Sequence, residues 1–255
     1  LLQLMLQQYP SYEKEQLRAF VDCRQVAING HLCRDLQEKF PESSVVDLVI
    51  SPYVSRGGFK LEHALHTWNL DVSQLIMLDA GSSTGGFTDC LLQHGVQKVH
   101  AVDVGYNQLD YRLRIDERVI VHERQNIMHM VEAIPKPHAA VADLSFRSIV
   151  GAASHILSLT SEGWMVSLVK PQFEVPRETE GFTGVVTQEE QIRDILLAVY
   201  EQLQQEAVQV YGIIESPIRG RKGNREFLTL LSLHTQGLSR LDFETLLSDL
   251  LPQGR

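Results

Sequence analysis

Two patterns of apolar residues alternate along most of this chain, one typical of strands and one of helices. The positions where the pattern changes locate the predicted elements. From residue 60 onward, short apolar runs typical of buried strands alternate with stretches in which apolar residues recur at helical spacing. The predicted strands are 75–78, 99–104, 119–122, 139–144, 164–169, 208–214 and 227–233. The predicted helices are 60–68, 107–114, 148–159 and 188–205. This alternation predicts an α/β fold with a seven-stranded, mostly parallel, Rossmann-like sheet and helices on both faces.

The residues before this region follow a weaker pattern, which predicts a separate small α+β domain. A strand there runs into Asn29-Gly30, a strong signal for a hairpin turn. The first helix lacks a clear beginning, so we expect the domain to be truncated at its start. Its predicted elements are helices over 1–9 and 13–21 and strands over 25–30 and 45–50.

Proline and glycine punctuate the stretch that follows, and they predict the domain boundary. Pro52, Gly57 and Gly58 interrupt any regular pattern there. We therefore predict a first domain over 1–52, a linker over 53–58 and a second domain over 59–255.

The bulk composition excludes several classes of protein. The chain of 255 residues is 44% hydrophobic and 22% charged, which is typical of a globular protein with a buried core. No apolar run approaches the roughly 18 residues of a membrane span. The first residues also lack the basic flank and cleavage site of a signal peptide. We therefore expect a cytoplasmic protein with no membrane partner.

Charge and cysteine content narrow the classes further. The formal net charge of −9 argues against a general polyanion binder, so any nucleic-acid contact must use a local basic patch. Cys23, Cys33 and Cys90 are odd in number, and no two of them have C-x-x-C spacing. This spacing predicts that the cysteines are reduced thiols. It argues against a disulfide framework and against a metal site.

A glycine-rich turn after the first strand of the predicted sheet is the first candidate for chemistry. From Met77 to Thr88 the chain reads Met-Leu-Asp-Ala-Gly-Ser-Ser-Thr-Gly-Gly-Phe-Thr, a strand end, a turn and a helix start. Doubly wound sheets hold nucleotide-like cofactors at such turns. Glycine allows close backbone approach there, and the helix start offers unpaired N–H groups.

The spacing of the glycines favours one cofactor over another. The dinucleotide fingerprint G-x-G-x-x-G needs glycine at its third position, where this chain has Ser83. Asp79, on the strand itself, would repel a pyrophosphate but suits the ammonium group of a methionine moiety. Asp103, at the end of the next strand, can hold ribose hydroxyls in either case. The pattern therefore favours S-adenosylmethionine over a nicotinamide dinucleotide.

Ionisable residues stand at the ends of several predicted strands. Ligands of open α/β sheets bind beyond the carboxyl ends of the strands, so such a set predicts a functional site at that edge. Its members are Asp79, Asp103, Asp143 and Lys170.

Several motifs stand in order along the chain and give it a specific resemblance. They are Tyr53-Val-Ser-Arg-Gly-Gly-Phe-Lys-Leu61, Asp79-Ala-Gly-Ser-Ser-Thr-Gly-Gly-Phe-Thr88, Val102-Asp-Val-Gly105, Ala142-Asp-Leu-Ser-Phe146, Val169-Lys-Pro-Gln-Phe-Glu174 and Asn224-Arg-Glu-Phe-Leu228. Together they resemble the TlyA family, known both as hemolysin A and as ribosomal RNA ribose methyltransferases. Residues 1–50 resemble the small RNA-binding domain shared with ribosomal small-subunit protein four. Residues 59–235 resemble the FtsJ-like methyltransferase fold.

The resemblance implies methyl transfer from S-adenosylmethionine to a ribose 2′-hydroxyl of ribosomal RNA, with cytidine as the expected nucleotide. The family's Lys-Asp-Lys-Glu tetrad falls on Lys60, Asp143, Lys170 and Glu226. A ribose hydroxyl is a poor nucleophile near neutral pH, so a base must take its proton as it attacks the methyl group. We expect Lys170 to be that base, positioned by Asp143 and Glu226. Lys60 is expected to tune the charge of the site and to contact the RNA.

Further site residues are predicted from the same resemblance and from their positions. The glycine loop is expected to wrap the methionine and ribose of the cofactor, and Asn126 to contact adenine. The loop residues are Gly81, Ser82, Ser83, Thr84, Gly85 and Gly86. A basic cluster is expected to grip RNA phosphates beside the site. Its members are Arg219, Arg221, Lys222 and Arg225, and Arg56 extends the patch. The expected partners are ribosomal RNA and ribosomal subunits, bound by a monomer that needs no metal.

Other functions compete with this interpretation. Enzymes that methylate exocyclic amines carry an Asp/Asn-Pro-Pro-aromatic motif where this chain has Asp143-Leu-Ser-Phe146, and Cys90 falls within a helix pattern. These features argue against a base or small-molecule methyltransferase. A membrane-lytic hemolysin lacks support because the sequence shows no signal peptide, span or basic amphipathic helix. A catalytically inactive RNA-binding ribosome factor requires that the tetrad be incomplete in space.

Overall fold

The computed structural model describes residues 1–22, 26–33, 38–48, 52–175, 182–220, 222–234 and 236–252. These residues form two compact units, Leu1–Pro52 and Tyr53–Arg255. Each unit has apolar core residues of its own.

The first unit is a small sheet with two helices packed on it. The helices are α1 (Leu2–Gln8) and α2 (Lys14–Asp22), and the strands are β1 (Val26–Ile28), β2 (His31–Leu32) and β3 (Val46–Leu48). The strand order is β2-β1-β3, and both pairs are antiparallel. Asn29 and Gly30 turn the chain with φ of 49° and 82°, which explains the choice of these residues. The predicted Asn-Gly hairpin is therefore confirmed.

The second unit is an α/β domain built on one seven-stranded sheet. Its strands are β4 (Ile76–Ala80), β5 (Lys98–Val102), β6 (Val119–His122), β7 (Ala139–Ala142), β8 (Trp164–Val169), β9 (Gln209–Glu215) and β10 (Phe227–Ser232). Its helices are α3 (Gly57–Thr67), α4 (Gly86–Gln93), α5 (Tyr111–Arg114), α6 (Ala153–Ser158), α7 (Pro171–Glu174), α8 (Glu189–Gln205) and α9 (Arg240–Leu250), with a 3-10 turn at Ile127–His129.

The order of the strands places the start of β10 at the edge of the sheet where the parallel strands end. The order is β6-β5-β4-β7-β8-β10-β9, and β4 to β8 are parallel to their neighbours within that set. β10 runs antiparallel to both β8 and β9, with Phe227 opposite Val169. The start of β10 therefore lies beside the carboxyl end of β8. The predicted sheet is confirmed, and this inserted antiparallel strand is the reason that it is mixed.

Two predicted helices are shorter in the structure than the apolar pattern suggested. α5 begins only after Asp110, whose carboxylate accepts a hydrogen bond from the backbone N–H of Arg112 and so caps the helix. The helix predicted over 148–159 begins at Ala153, because Gly151 has a φ of 75° that an α-helix does not accommodate. The helix α9, which the sequence analysis did not predict, begins with a capping box formed by Ser239 and Asp242.

Residues 53–58, which were predicted to be a linker, make specific contacts within the second unit. Tyr53 is 4% exposed, and its hydroxyl donates a hydrogen bond of 2.9 Å to Glu62. The backbone N–H of Val54 donates to Asp89 Oδ2 at 2.7 Å. A Cβ on Gly58 would lie 2.2 Å from the Tyr53 ring, so only glycine fits there. The segment is thus packed in place, and its last two residues are the first two of α3.

Other expectations concern membranes, metals and thiols. None of the helices within the described ranges is long and apolar enough to cross a membrane. Among the same residues, no group of three or more His, Cys, Asp and Glu side chains is placed to hold a metal ion. Cys33 and Cys90 are buried thiols, and Cys23 lies outside the described residues.

Candidate active site

The glycine loop joins β4 to α4, and its glycines are required by neighbouring protein atoms. Gly81 has a φ of 86°, and a Cβ there would lie 2.7 Å from the backbone oxygen of Asp143. At Gly85, with a φ of 97°, a Cβ would lie 2.2 Å from the side chain of Leu113. At Gly86 it would lie 2.2 Å from Ser55 Oγ. The loop therefore packs directly against the end of β7, α5 and the segment before α3.

Asp79 lies beneath this loop in a fully buried position. Its Oδ2 accepts a hydrogen bond of 2.6 Å from the hydroxyl of Thr88, whereas Oδ1 has no hydrogen-bond partner among the described residues. Burial raises the pKa of Asp79 to about 7, the nearby carboxylates of Asp143 and Asp103 add to the increase, and the bond from Thr88 opposes it. A bound cation would favour the ionised form of this carboxyl group.

Asp103 follows β5 and is held by backbone groups. Its Oδ2 accepts from the N–H of Ser83 at 2.8 Å, and its Oδ1 accepts from the N–H of Gly105 at 2.6 Å. An ionised carboxylate has about four acceptor positions, so both oxygens can still accept from ligand hydroxyls. Within the loop, Ser82 is buried and Ser83 and Thr84 are exposed.

Asn126 has a structural role that the sequence analysis did not distinguish from ligand binding. It precedes the 3-10 turn, and its Oδ1 accepts a hydrogen bond of 3.0 Å from the backbone N–H of Met128. The side chain therefore caps this turn. The contact between Asn126 and adenine stays a prediction.

Lys60 and Glu226 form a buried ion pair although they are 166 positions apart in the chain. Lys60 lies in the first turn of α3, and its Nζ is 2.5 Å from Glu226 Oε2. The two side chains are 11% and 5% exposed. A cation near a helix N-terminus meets the positive end of the helix dipole, and the carboxylate of Glu226 offsets that cost.

Lys170 and Asp143 form a second ion pair beside the first. Lys170 directly follows β8, and its Nζ is 2.6 Å from Asp143 Oδ1. Nζ also donates to the backbone oxygen of Leu144 at 3.1 Å and to Ser145 Oγ at 3.4 Å. The contact with Asp143 Oδ1 is an ion pair and not a hydrogen bond, so among the described residues Nζ donates to Leu144 and Ser145 only. The side chain of Lys170 is only 10% exposed.

The strand register places the two pairs at the same edge of the sheet. Phe227 of β10 lies opposite Val169 of β8, so the next residues outward, Glu226 and Lys170, are neighbours at the strand ends. Glu226 contacts Lys60, whereas Asp143 contacts Lys170, and the positioning of Lys170 by both carboxylates stays a prediction.

Two phenylalanines border Lys170 and were not among the predicted site residues. The Nζ of Lys170 lies 5.6 Å from the centre of the Phe173 ring, which packs at 5.3 Å against Phe146. Phe146 is 79% exposed and has a φ of 60°, which is rare for a bulky residue. The motif Asp143-Leu-Ser-Phe146 contains this residue, but a strained backbone angle leaves no signature in a single sequence.

The described members of the predicted basic cluster differ in exposure. Arg225 is only 12% exposed at its side chain and is held by Glu215 at 2.6 Å and Glu189 at 2.9 Å. Its guanidinium also donates to the backbone oxygen of Leu250. The guanidinium donors of Arg225 are thus used inside the protein, and Arg225 is not among the RNA contacts that we propose. Arg56, Arg219 and Lys222 are exposed, and Arg221 lies outside the described residues.

Comparisons with known proteins agree with this architecture. A family profile described as FtsJ-like methyltransferase matches residues 53–233. The chain belongs to the FtsJ-like methyltransferase family. The matched range begins at Tyr53, the first residue of the second unit. The matched range contains the sheet, the glycine loop and both ion pairs.

Relatives of this FtsJ-like chain confirm the resemblance to TlyA. The 16S/23S rRNA (cytidine-2′-O)-methyltransferase TlyA of Mycobacterium tuberculosis is 41% identical over 72% of this chain and 69% of its own length. YqxC of Bacillus subtilis is 45% identical, and the match spans 72% of this chain but only 66% of YqxC. A solved structure from Streptococcus thermophilus, named for a hemolysin, has a TM-score of 0.74 at 35% identity and covers 96% of this chain and 93% of its own.

Proposed function

We propose that this chain transfers a methyl group from S-adenosylmethionine to the 2′-hydroxyl of a ribose in ribosomal RNA, most specifically of a cytidine. The observation that carries the proposal is that two buried lysines each contact a carboxylate beside a glycine loop, Lys60 with Glu226 and Lys170 with Asp143. The relatives named for TlyA support ribosomal RNA and cytidine as the substrate.

The residues of the loop fit the methyl donor. S-adenosylmethionine carries both an ammonium and a sulfonium group, and the buried, partly unpartnered carboxyl group of Asp79 is suited to a cationic ligand. Asp103 presents a carboxylate that backbone N–H groups hold at the edge of the site, as a ribose diol requires. When bound, S-adenosylmethionine supplies an electrophilic methyl group whose bond to sulfur breaks as a new carbon–oxygen bond forms.

Lys170 is the proposed base. In its neutral amine form, its Nζ accepts the proton of the ribose 2′-hydroxyl as the oxygen attacks the methyl carbon. The hydroxyl takes the place of Ser145 Oγ, whose 3.4 Å contact is the longest of the three around Nζ. Asp143, whose Oδ1 lies 2.6 Å from Nζ, stabilises the ammonium that forms. Orienting the hydroxyl toward the methyl group supplies much of the remaining acceleration.

Lys60 and Glu226 complete the proposed site. Lys60 provides a positive charge close to where the RNA backbone enters, and Glu226 holds it there. Arg56, Arg219 and Lys222 are exposed and are the proposed phosphate contacts. The first unit is proposed to bind RNA as well, in line with its resemblance to the domain of ribosomal small-subunit protein four.

The proposal is tested by mapping the product of the purified protein. Ribosomal RNA and ribosomal subunits are incubated with isotopically labelled S-adenosylmethionine, digested to nucleosides and examined by mass spectrometry. We expect 2′-O-methylcytidine. A methyl group on a base, or label on a small molecule only, would instead support the competing methyltransferase. Red-cell lysis by the protein without any methyl transfer would support the hemolysin.

The role of Lys170 has its own test. Lys170→Met should abolish turnover and leave S-adenosylmethionine binding within a factor of about three by calorimetry, since Lys170 contacts the reacting hydroxyl and not the donor. Lys136→Met, at an exposed lysine, is the matched control and should turn over normally. Normal turnover by Lys170→Met would reject Lys170 as the base.

A further inference from the structure

The carboxylate of Glu226 has Lys60 on one side and the backbone of Gly220 on the other. On one side its Oε2 contacts Lys60 at 2.5 Å. On the other side lies Gly220, where an added Cβ would be 2.5 Å from Glu226 Oε1 and 3.3 Å from its carboxyl carbon. Real Cβ atoms essentially never approach closer than 3.0 Å. A side chain of any size at position 220 would therefore have to displace the carboxylate.

Backbone hydrogen bonds fix the loop that contains Gly220. The N–H of Gly220 donates to the oxygen of Asn224 at 2.9 Å, and the N–H of Gly223 donates to the oxygen of Gly220 at 2.9 Å. The N–H of Ser216 donates to the oxygen of Glu226 at 2.8 Å, which closes the base of the loop. The turn thus folds back on Glu226 through backbone bonds that need no particular side chain.

Asn224 ties this turn to a second segment. It is 4% exposed; its Oδ1 accepts from the N–H of Val186 at 2.9 Å, and its Nδ2 donates to the oxygen of Gly184 at 3.0 Å. Val186 is itself part of the apolar core. Because a buried amide satisfied at both ends resists displacement, the turn cannot easily move away from Glu226.

The backbone angle at Gly220 separates its role from that of other glycines in the loop. Gly223 has a φ of 86°, and a Cβ there would meet nothing within 4 Å. Gly220 is not among the residues with positive φ, so alanine can adopt its backbone conformation. Gly223 is required by its positive φ angle. Gly220 is required because a side chain there has no space beside the Glu226 carboxylate.

We propose that Gly220 is a positioning residue for Glu226: its missing side chain lets the backbone close on the carboxylate and set it onto Lys60. The inference rests on the proposed function, in which this ion pair borders the reacting ribose. Alanine at 220 would move the carboxylate by at least about half an ångström, the difference between 2.5 Å and 3.0 Å. Displacements of this order near reacting groups cost roughly 10- to 100-fold in rate.

The kinetic test compares two alanine variants of the same loop in the full chain. Gly220→Ala should lower kcat by about 10- to 100-fold and leave the Kd for S-adenosylmethionine and the KM for RNA within about threefold. Gly223→Ala, which introduces backbone strain but no contact with Glu226, should lower Tm and keep kcat. Equal kcat values for Gly220→Ala and the wild type, or an equal loss in both variants, would overturn the proposal.

A stability cycle provides the readout that a merely structural glycine would not give. Gly220→Ala should lower Tm by about 5 °C in the wild type because of overpacking. It should lower Tm by less than about 1 °C when Glu226→Ala has already removed the carboxylate. If Gly220→Ala alone does not fold, refolding of the double variant gives the same answer. An equal loss of stability in both backgrounds would show that Gly220 does not act through Glu226.

The two failures are distinguishable. If the wild type transfers no methyl group to RNA, the proposed function fails, and the stability cycle still decides whether Gly220 sets Glu226. If the wild type is active, only the role of Gly220 is rejected when Gly220→Ala keeps the wild-type kcat and lowers Tm equally with and without the Glu226 carboxylate.

Discussion

Replacing Glu226 by glutamine removes one charge from the Lys60–Glu226 pair and nearly preserves its shape. Lys60 would then carry an unpaired charge in a position where only 11% of its side chain is exposed. Breaking a buried pair in this way is more damaging than removing both partners, because the remaining charge loses water without regaining a counter-charge. We therefore expect Glu226→Gln to destabilise the protein.

The size of the effect follows from the geometry. At 2.5 Å, and with an effective dielectric constant of 20, the two charges attract each other by about 7 kcal/mol before desolvation. Desolvation offsets part of this, and the partly exposed ammonium can recover some hydration, so we expect a net loss of about 3 kcal/mol. For a chain of this size that loss lowers Tm by about 6–12 °C.

The assay is a double-substitution cycle followed by thermal and denaturant unfolding. Lys60→Met, Glu226→Gln and the double variant are compared, and the double variant should regain most of the lost stability because no unpaired charge remains buried. The matched control is Glu244→Gln in the exposed Arg240–Glu244 pair, whose side chains are 63% and 40% exposed. There we expect a loss of at most about 0.5 kcal/mol.

Stability and activity should separate in this cycle. The double variant is expected to be stable and yet inactive, because the charge that Lys60 provides at the site is absent. If Glu226→Gln were as stable as Glu244→Gln, or if the double variant were no more stable than the single ones, the reasoning about a buried pair would be refuted. Wild-type methyl transfer by the double variant would show that the pair serves stability alone.

The remaining predictions concern the cofactor loop and the basic residues. With the pKa of Asp79 at about 7 in the folded protein, the ionised fraction rises about tenfold from pH 6 to pH 8. The Kd for S-adenosylmethionine should fall by about the same factor, and calorimetry should find that Asp79→Asn abolishes this dependence. The raised pKa also means that the carboxyl group of Asp79 contributes stability at low pH, which is lost as the pH rises toward and through 7; Asp79→Asn should flatten that part of the unfolding curve. Arg219→Ala and Lys222→Ala should each reduce the salt slope of RNA binding by about 1. Arg225→Met should leave that slope unchanged and instead lower the stability by about 1–2 kcal/mol, since it removes the hydrogen bonds to Glu189 and Glu215, whose side chains are 43% and 31% exposed. Gly81→Ala should weaken cofactor binding and lower Tm, because φ there is 86° and the new Cβ would lie 2.7 Å from a backbone oxygen; unchanged values would contradict the packing described for the loop.

Local pattern was sufficient for much of the fold. The predicted strands over 119–122 and 164–169 coincide with β6 and β8, because apolar runs flanked by polar turns are informative without knowledge of their neighbours. The predicted helix over 188–205 differs from α8 by one residue at its start. α5 and α6 were predicted too long, since a side-chain cap and a glycine with positive φ ended the helical pattern early.

The candidate site was predictable only as a list of residues. Motif order indicated Lys60, Asp143, Lys170 and Glu226, but not which lysine contacts which carboxylate. Arg225 looked like its basic neighbours in the sequence, yet Glu189 and Glu215 turn it inward. These contacts join residues far apart in the chain, and local pattern contains no information about them.

By itself the sequence determined the order of strands and helices, the position of the glycine loop and the identity of the charged residues at strand ends. Those features depend on hydrophobic period and on residue chemistry, which are local properties. Only the tertiary structure decided that β10 inserts antiparallel beside β8, which brings Glu226 to the edge where Lys170 lies. It also decided that Asp79 is fully buried and that a Cβ at position 220 would clash with the Glu226 carboxylate. The physical reason is that burial and close contact arise from packing between distant segments, and many sequences with the same local pattern could pack differently.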